Sequence, residues 1–425
     1  MSIAQIYTTF RKPMATPMLS TLSINGDRFL ASIATLAQIG QLPNGGVERL
    51  AYSPADIKAR QLVQQWMLGA DMQVRIDAGG NIIGRYAGSN PDLPAIATGS
   101  HIDTVPNAGH YDGAYGVLAA LEVIRTLKEN SLQLNHPLEA IVFADEEGSM
   151  IGSKAITGNI NPNPDSYHPV EGTIQTCLAS IGGDWQKIET AQRDRNDFAA
   201  FLELHVEQGP VLDSAGIQIG VVEGVVGQRR YTITVQGSAS HAGTTPMSMR
   251  QDALVAAAQV ILSVNLLANL PGKQVATVGK MLVSPNAPNT IPAFVEMSLD
   301  VRDLSDHNLD DLINSLESDL EAVAAATQTK ISLKPVLQNQ PALASPIIQT
   351  AIVQTCRELE LTSLHLPSRA GHDAQEMAKL TEMGMIFVPS QNGVSHSETE
   401  YTSPEHCVQG ANVLLHTLLK LDRQI

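Results

Sequence analysis

The sequence has no run of about 18 apolar residues, the length a helix needs to cross a bilayer, so no transmembrane helix is expected. Its first twenty residues lack the continuous apolar stretch of a secretory signal and carry only Arg11 and Lys12 as charges. They read as a loose tail. Cysteine is scarce. Cys177, Cys356 and Cys407 are three in 425 residues, odd in number, scattered and never in CxxC spacing. That excludes a disulfide framework and a cysteine-based metal site, and it fits the reducing cytoplasm. Basic residues are outnumbered, with 27 Lys and Arg against 43 Asp and Glu for a net charge of −16. Nucleic acids and anionic membrane surfaces both require basic patches, so neither is an expected partner. Internal repeats and low-complexity segments are also missing.

What remains is a chain with 43% hydrophobic and 16% charged residues, the balance of a globular enzyme with a large core. Its length implies two to three domains. Ser53-Pro54-Ala55-Asp56 is a helix opening: a capping hydroxyl, a proline suited to the first turn and a carboxylate favoured by the helix dipole. Ile57, Leu62, Val63, Trp66 and Met67 supply its apolar face, and Gly69 ends it. Short apolar strands follow at 94–100, 139–145 and 201–207, with a helix over 117–130 between the first two. Such alternation predicts a parallel sheet covered on both faces. Near residue 220 the pattern changes. A strand over 231–236, a helix over 249–268, strands near 275–283 and 293–302, an amphipathic helix through Leu309, Leu312, Ile313, Leu316, Leu320 and Val323, and a strand over 330–336 make the β-α-β-β-α-β order of a ferredoxin-like unit. After about 337 strand–helix alternation returns, with a buried strand at 385–391. The expected plan is an α/β catalytic domain over 21–220 and 337–425, interrupted by an inserted ferredoxin-like domain over 221–336. Hinges are expected near 220 and 335.

In open α/β sheets, ligands gather beyond the carboxyl ends of the strands. Five metal-ligand side chains follow or end apolar runs: His101 in GSHIDTV, Asp112 in HYDGAYG, Glu147 in ADEEGS, His205 in FLELHVEQG and His396 after MIFVPSQNGVS. Together they read as a two-metal site. Asp103 is placed to hold the second imidazole nitrogen of His101. A carboxylate at the Asp112 bend, flanked by Gly113 and Gly116, suits a bridge between two cations. Glu146 stands beside Glu147, and of two adjacent carboxylates one can ligate metal while the other moves protons. His110 reads as structural.

The segments GGVERLAYSPAD (45–56), GSHIDTVPNAG and YDGAYGV (99–117), FADEEGS (143–149), LHVEQGPVL (204–212), ASHAGTTPM (239–247), NAPNTIPA with SLDVRDL (286–304), AGHDAQEM (370–377) and VSHSE (394–398) resemble the amidase/hydantoinase/carbamoylase branch of the dinuclear metallopeptidase superfamily. This branch includes N-carbamoyl-L-amino-acid hydrolases, β-ureidopropionases and allantoate amidohydrolases. The resemblance covers about residues 25–420. It implies an exopeptidase-like catalytic domain with a lid and dimerisation domain. His101 and His205 would bind one divalent ion, Glu147 and His396 the other, with Asp112 bridging. The ions would be zinc, or else manganese, cobalt or nickel. Glu146 would be the general base. His241 would stabilise the oxyanion, reaching in from a second subunit of a homodimer. Gln208, Arg230, Asn289, Arg302 and the Gly371 N–H would contact the substrate, with Arg302 clamping a carboxylate. A structural ion pair with Asp300 or Asp303 is the competing reading of Arg302.

His205, where exopeptidase and deacylase relatives tend to have a carboxylate, implies hydrolysis of an N-carbamoyl amino acid to the amino acid, carbon dioxide and ammonia. Allantoate hydrolysis is the first alternative, N-acyl amino acid deacylation or dipeptide cleavage the second. A non-catalytic binding or dimerisation module is the remote one. The sequence departs from the family pattern twice. The loop after Glu147 runs directly through Met150-Ile151-Gly152-Ser153, and Arg369 stands where carbamoylases usually have glycine.

Overall fold

Residues 22–425 are described by the computed structural model, and the expected N-terminal tail lies outside them. The helix opened by Ser53 spans Pro54–Gly69, with the Ser53 side chain accepting the Asp56 N–H and Pro54 at the first position. Beyond it the chain builds a nine-stranded sheet. At its centre, Ala95–His101 lies parallel to both Leu138–Phe143 and Phe198–Val206, and Met383–Val388 lies parallel to Phe198–Val206. These four strands therefore end at one edge of the sheet, and the segments carrying His101, Glu146, Glu147, Gln208 and His396 leave from it.

The central strands are buried along their length: every residue of Ala95–His101, Leu138–Phe143 and Met383–Val388 is buried. That is why they read as unbroken apolar runs rather than alternating ones. Helix Ala114–Glu129 packs across them, with Val117, Leu118, Leu121, Val123, Ile124 and Leu127 all buried. Each such side chain contributes roughly 1.5–3 kcal/mol of burial. The C-terminal helix Pro404–Gln424 packs on it and on Pro346–Glu358. Arg49 is fully buried, but its guanidinium donates to the carbonyls of Ile102, Leu36 and Ile39. It ties the N-terminal segment to the loop after His101.

A second sheet has the antiparallel order Met281–Ser284, Phe294–Asp303, Gly227–Gln236 and Lys330–Asn339, with Val275–Thr277 also on Phe294–Asp303. In chain order the four main strands lie 2-3-1-4, the arrangement of a split β-α-β-β-α-β unit. Residues of Phe294–Asp303 alternate between buried and half-buried, because helices Ala253–Ala268 and Asp306–Thr327 cover one face only. The first helix begins at Ala253 rather than 249: Met247–Met249 forms a separate tight turn, and Asp252 caps the helix proper. The chain crosses between sheets at Val226 and returns after Asn339, a few residues beyond the expected positions. Ile219–Val225 is almost wholly buried and pairs with Met383–Val388 and Ser363–Ser368, so it belongs to the large sheet.

Candidate metal centre and active site

His101 ends its strand, and His205 stands one residue before the end of the neighbouring one. Asp112 reaches them from the turn before helix Ala114–Glu129. Gly113 makes this turn possible, since its φ is +62° and a Cβ there would collide with the His101 ring. His396 and Gln208 adopt left-handed backbone conformations, φ +53° and +58°. Such conformations are uncommon for non-glycine residues and recur where a side chain must be aimed.

Asp112 is the hub. Its Oδ1 lies 3.2 Å from His205 Nε2 and 3.7 Å from His101 Nε2. Its Oδ2 lies 3.2 Å from His396 Nε2, which is 3.5 Å from Glu147 Oε1. One oxygen thus faces a pair of imidazoles, and the other faces an imidazole and a carboxylate. A coordination tetrahedron with bonds of about 2.0–2.1 Å has edges of roughly 3.3 Å, and these separations lie near it.

Hydrogen bonding supports a fit to cations independently. His205 Nδ1 is 2.9 Å from the Val206 carbonyl, and His101 Nδ1 is 3.0 Å from the Asp103 carbonyl. Each Nδ1–H is committed there, so when the ring is neutral its Nε2 lone pair faces carboxylate oxygens. Two facing lone pairs repel unless a proton or a metal ion lies between them. Asp112 Oδ1 and Glu147 Oε1 are moreover buried without a hydrogen bond. Burial opposes a charge on His205, but Asp112 and Glu203 outweigh it and push its pKa up to about 9. The Asp112 hydrogen bond does the same for His396, also to about 9. Burial resists ionisation of Asp112 too, yet the facing imidazoles of His205 and His396 hold it well below the usual carboxylate range. Burial, then the charges of Asp373, Glu147, Asp103 and Asp112, raises Glu146 well above its ordinary value. The donors present fit two divalent cations.

Glu146 Oε2 lies 3.5 Å from His101 Nε2, at the rim of the ligand set. Asp103 is buried, but its carboxylate is 3.7 Å from His101 Nδ1, and its own carbonyl makes the imidazole contact. The carboxylate instead accepts the N–H groups of Glu147 and Glu146, at 3.2 and 3.4 Å. Asp103 thus holds both the ring and the glutamate loop. His110 contacts the Gly45 carbonyl, a structural role.

A cavity of about 920 Å³ opens over this cluster, with Gln208 and Gly371 on its wall. Gln208 Nε2 donates to Asp112 Oδ2 at 2.8 Å. Arg230, His241, Asn289 and Arg302, all on the small sheet and its loops, do not line the cavity. Arg302 and Arg230 share Asp300, with Nε and Nη2 contacts of 2.8 and 3.0 Å, and Arg302 also donates to the Arg369 carbonyl. His241 is exposed and accepts the Gly243 N–H. Arg369 donates to the Lys273 carbonyl and is also absent from the cavity wall, so its charge does not reach the cavity beside Gly371.

Residue patterns did not reveal three buried neighbours. Glu400 accepts the Tyr111 and Asp112 N–H groups and the Ser395 hydroxyl, at 2.9, 3.1 and 3.0 Å. In SETEYT it looks like one more solvated loop carboxylate. Glu203 joins the Ser100 hydroxyl to the Ala374 N–H, at 2.8 and 3.0 Å. Its place two residues before His205, on the same strand face, was the available signal. His372 packs edge-on against His205 with ring centres 4.6 Å apart.

The model of peptidase family M20/M25/M40 matches residues 97–420. The chain belongs to this family. Among curated relatives, the N-carbamoyl-L-amino acid amidohydrolase of Geobacillus stearothermophilus is 38% identical, covering 94% of this chain and 99% of its own. The allantoate amidohydrolase of Bacillus subtilis is 35% identical over 92% and 96%. The crystal structure of an amidase of the hydantoinase/carbamoylase family from Burkholderia multivorans is 36% identical, covers 94% of this chain and 98% of its own, and superposes with a TM-score of 0.89. The family and the donor set agree on a divalent-metal hydrolase built on this fold.

Proposed function

We propose that this M20-family chain is a metal-dependent amidohydrolase acting on the linear C–N bond of N-carbamoyl or ureido amino acids, releasing the amino acid, carbon dioxide and ammonia. The observation that carries it is Asp112, with one oxygen toward His101 and His205 and the other toward His396 and Glu147. The named relatives point to the same bond type.

Divalent cations held by these five residues supply Lewis-acid polarisation of the attacked carbonyl and of water. Zinc suits the imidazole and carboxylate donors, with manganese, cobalt and nickel as competitors. Glu146 takes a proton from the attacking water and returns it to the leaving nitrogen. Its raised proton affinity serves both transfers. Asp103 keeps Glu146 and Glu147 in register through their N–H groups. Gln208, on the cavity wall, meets the ureido group. In this reading the small domain is a lid that brings Arg302 to the substrate carboxylate and Arg230, Asn289 and His241 to the rest, Arg302 leaving Asp300 as it closes.

A homodimer belongs to the same reading, with the partner's copy of the small domain delivering the His241 function. On helix Ala253–Ala268, Leu262 and Leu266 are 62% and 68% exposed, and strand Met281–Ser284 is a free sheet edge bearing exposed Met281 and Leu282. No helix among the described residues is long and apolar enough to cross a membrane. The three free cysteines, all buried, accord with a cytoplasmic location.

Ammonia release from N-carbamoyl-L-amino acids, allantoate, N-acetyl amino acids and dipeptides, with amine release followed for the last two, tests the assignment. Turnover of the carbamoyl substrates is expected. Turnover of allantoate alone would move the assignment to that substrate, and cleavage of acetyl or peptide substrates alone would overturn it.

A further inference from the structure

The cavity runs from the ligand cluster onto helix Ile151–Thr157 and the loop beyond it, where Lys154, Asn159, Asn161 and His168 form part of its wall. Lys154 is the fourth residue of that helix, which follows Glu147 after a short loop. Four residues after Glu147 the helix begins, and Met150 makes the sharp entry in a left-handed conformation, φ +56°.

Lys154 is the one Lys or Arg on the cavity wall among the described residues. Its Nζ donates to the Ser149 carbonyl at 2.7 Å, which leaves two N–H donors free. Three acids act on Lys154 from longer range: Glu376, which pairs with Lys379 at 2.8 Å, Asp145, which accepts the Ser149 hydroxyl at 2.5 Å, and the buried Asp373. Among the described residues no carboxylate comes within ion-pair distance of Lys154. A half-buried ammonium with no carboxylate in direct contact is only partly compensated, and an incoming anion reduces the remaining penalty. Of the acids on the cavity wall, Asp112 and Glu147 face the metal site, Asp103 accepts the Glu146 and Glu147 N–H groups and Asp145 accepts the Ser149 hydroxyl, so the two free donors of Lys154 are open to an anion entering the cavity.

We propose that Lys154 binds a second carboxylate of the substrate, making the preferred substrates N-carbamoyl amino acids with acidic side chains. This rests on the carbamoyl-hydrolase reading above and names the substrate class within it. Two cations then divide two carboxylates: Arg302 takes the one next to the scissile nitrogen as the lid closes, and Lys154 takes the side-chain one. Asn159 and Asn161 provide a polar wall rather than an apolar pocket, as an acidic side chain requires.

The test compares kcat/KM of the metal-loaded enzyme for N-carbamoyl-L-aspartate, N-carbamoyl-L-glutamate and their amide counterparts, N-carbamoyl-L-asparagine and N-carbamoyl-L-glutamine. Wild type is expected to favour at least one acid over its amide by about tenfold or more, the scale of one charge-assisted contact. Lys154→Met should collapse that acid-to-amide ratio toward one, chiefly through KM. Lys154→Gln, which keeps a donor for the Ser149 carbonyl, should do the same, so that loop disturbance is separated from loss of charge. A wild-type ratio at or below one for both pairs overturns the proposal, as does an unchanged ratio in folded variants. Turnover of the amides without acid preference overturns the proposal alone. Inactivity on all four compounds overturns the proposal, and inactivity on the other N-carbamoyl-L-amino acids as well overturns the carbamoyl reading.

Discussion

Glu400 accepts the backbone N–H groups of Tyr111 and Asp112 through Oε1 and the Ser395 hydroxyl through Oε2. The same hydroxyl lies 3.2 Å from Asp112 Oδ2, and Ser395 immediately precedes His396. One carboxylate therefore sets the backbone of the bridging residue and the approach of the second imidazole. Glu400→Ala removes all three bonds and leaves two buried N–H groups without partners. Hydrogen bonds to a charged acceptor are each worth roughly 1.5–3 kcal/mol, and the gross loss is offset by no longer burying the charge beside Asp112. A net loss of about 3 kcal/mol in unfolding free energy is expected. Glu400→Gln keeps an oxygen for the two N–H groups, and its amide donates to Ser395 Oγ while the hydroxyl still points at Asp112; about 1 kcal/mol is the expected cost. Metal content separates positioning from stability. Residues that orient metal ligands typically change metal affinity by about 10–100-fold. After dialysis at fixed free zinc, with ions counted by mass spectrometry and stability by urea titration, the alanine variant should retain fewer ions and the glutamine variant nearly the wild-type number. An alanine variant with wild-type metal affinity and less than about 1 kcal/mol of lost stability would refute the reasoning.

Gly113→Ala should lower both metal affinity and thermal stability, because the new Cβ falls on the His101 ring and the backbone there is left-handed; equilibrium metal titration and calorimetry check it. Glu146→Gln should keep both ions but reduce kcat by about 10²–10⁴-fold with little change in KM, the usual scale for losing a general base. Chelation followed by dialysis should abolish turnover and lower the melting temperature, and re-addition of zinc, manganese, cobalt or nickel should restore both, since an ion that binds only the folded chain stabilises it. Mixing inactive Glu146→Ala and His241→Ala subunits should recover part of the activity if His241 serves its neighbour. No recovery in dimers shown to exchange would count against sharing.

Much of the fold was legible because burial writes itself into residue pattern. The central strands are covered on both faces and appear as apolar runs, whereas Phe294–Asp303, covered on one face, alternates. The end of the large sheet at Val226 was less legible, since Ile219–Val225 and Gly227–Gln236 follow each other almost without a break and differ only in whether one face or both are buried. The Asp300 ion pairs of Arg302 and Arg230 were foreseen for Arg302 as the competing reading. The partner acid was not decidable from spacing, because Asp303, the nearer in sequence, is buried and bonds the Ser305 N–H instead.

By itself the sequence determined the kind of chemistry. Side chains of the types that bind cations stand at or just beyond the ends of buried strands, and parallel strands of one sheet end at the same edge, so residue type and strand position together imply a metal site. Tertiary structure decided how that site is organised. Which oxygen of Asp112 faces which imidazole, which buried carboxylate holds Asp112, and whether a given arginine or lysine reaches the cavity depend on strand order and on where each loop turns. Residues 101, 205 and 396 become neighbours only because Ala95–His101, Phe198–Val206 and Met383–Val388 are adjacent in the sheet. Lys154 shares their cavity from a helix that three residues, one of them left-handed, connect to Glu147.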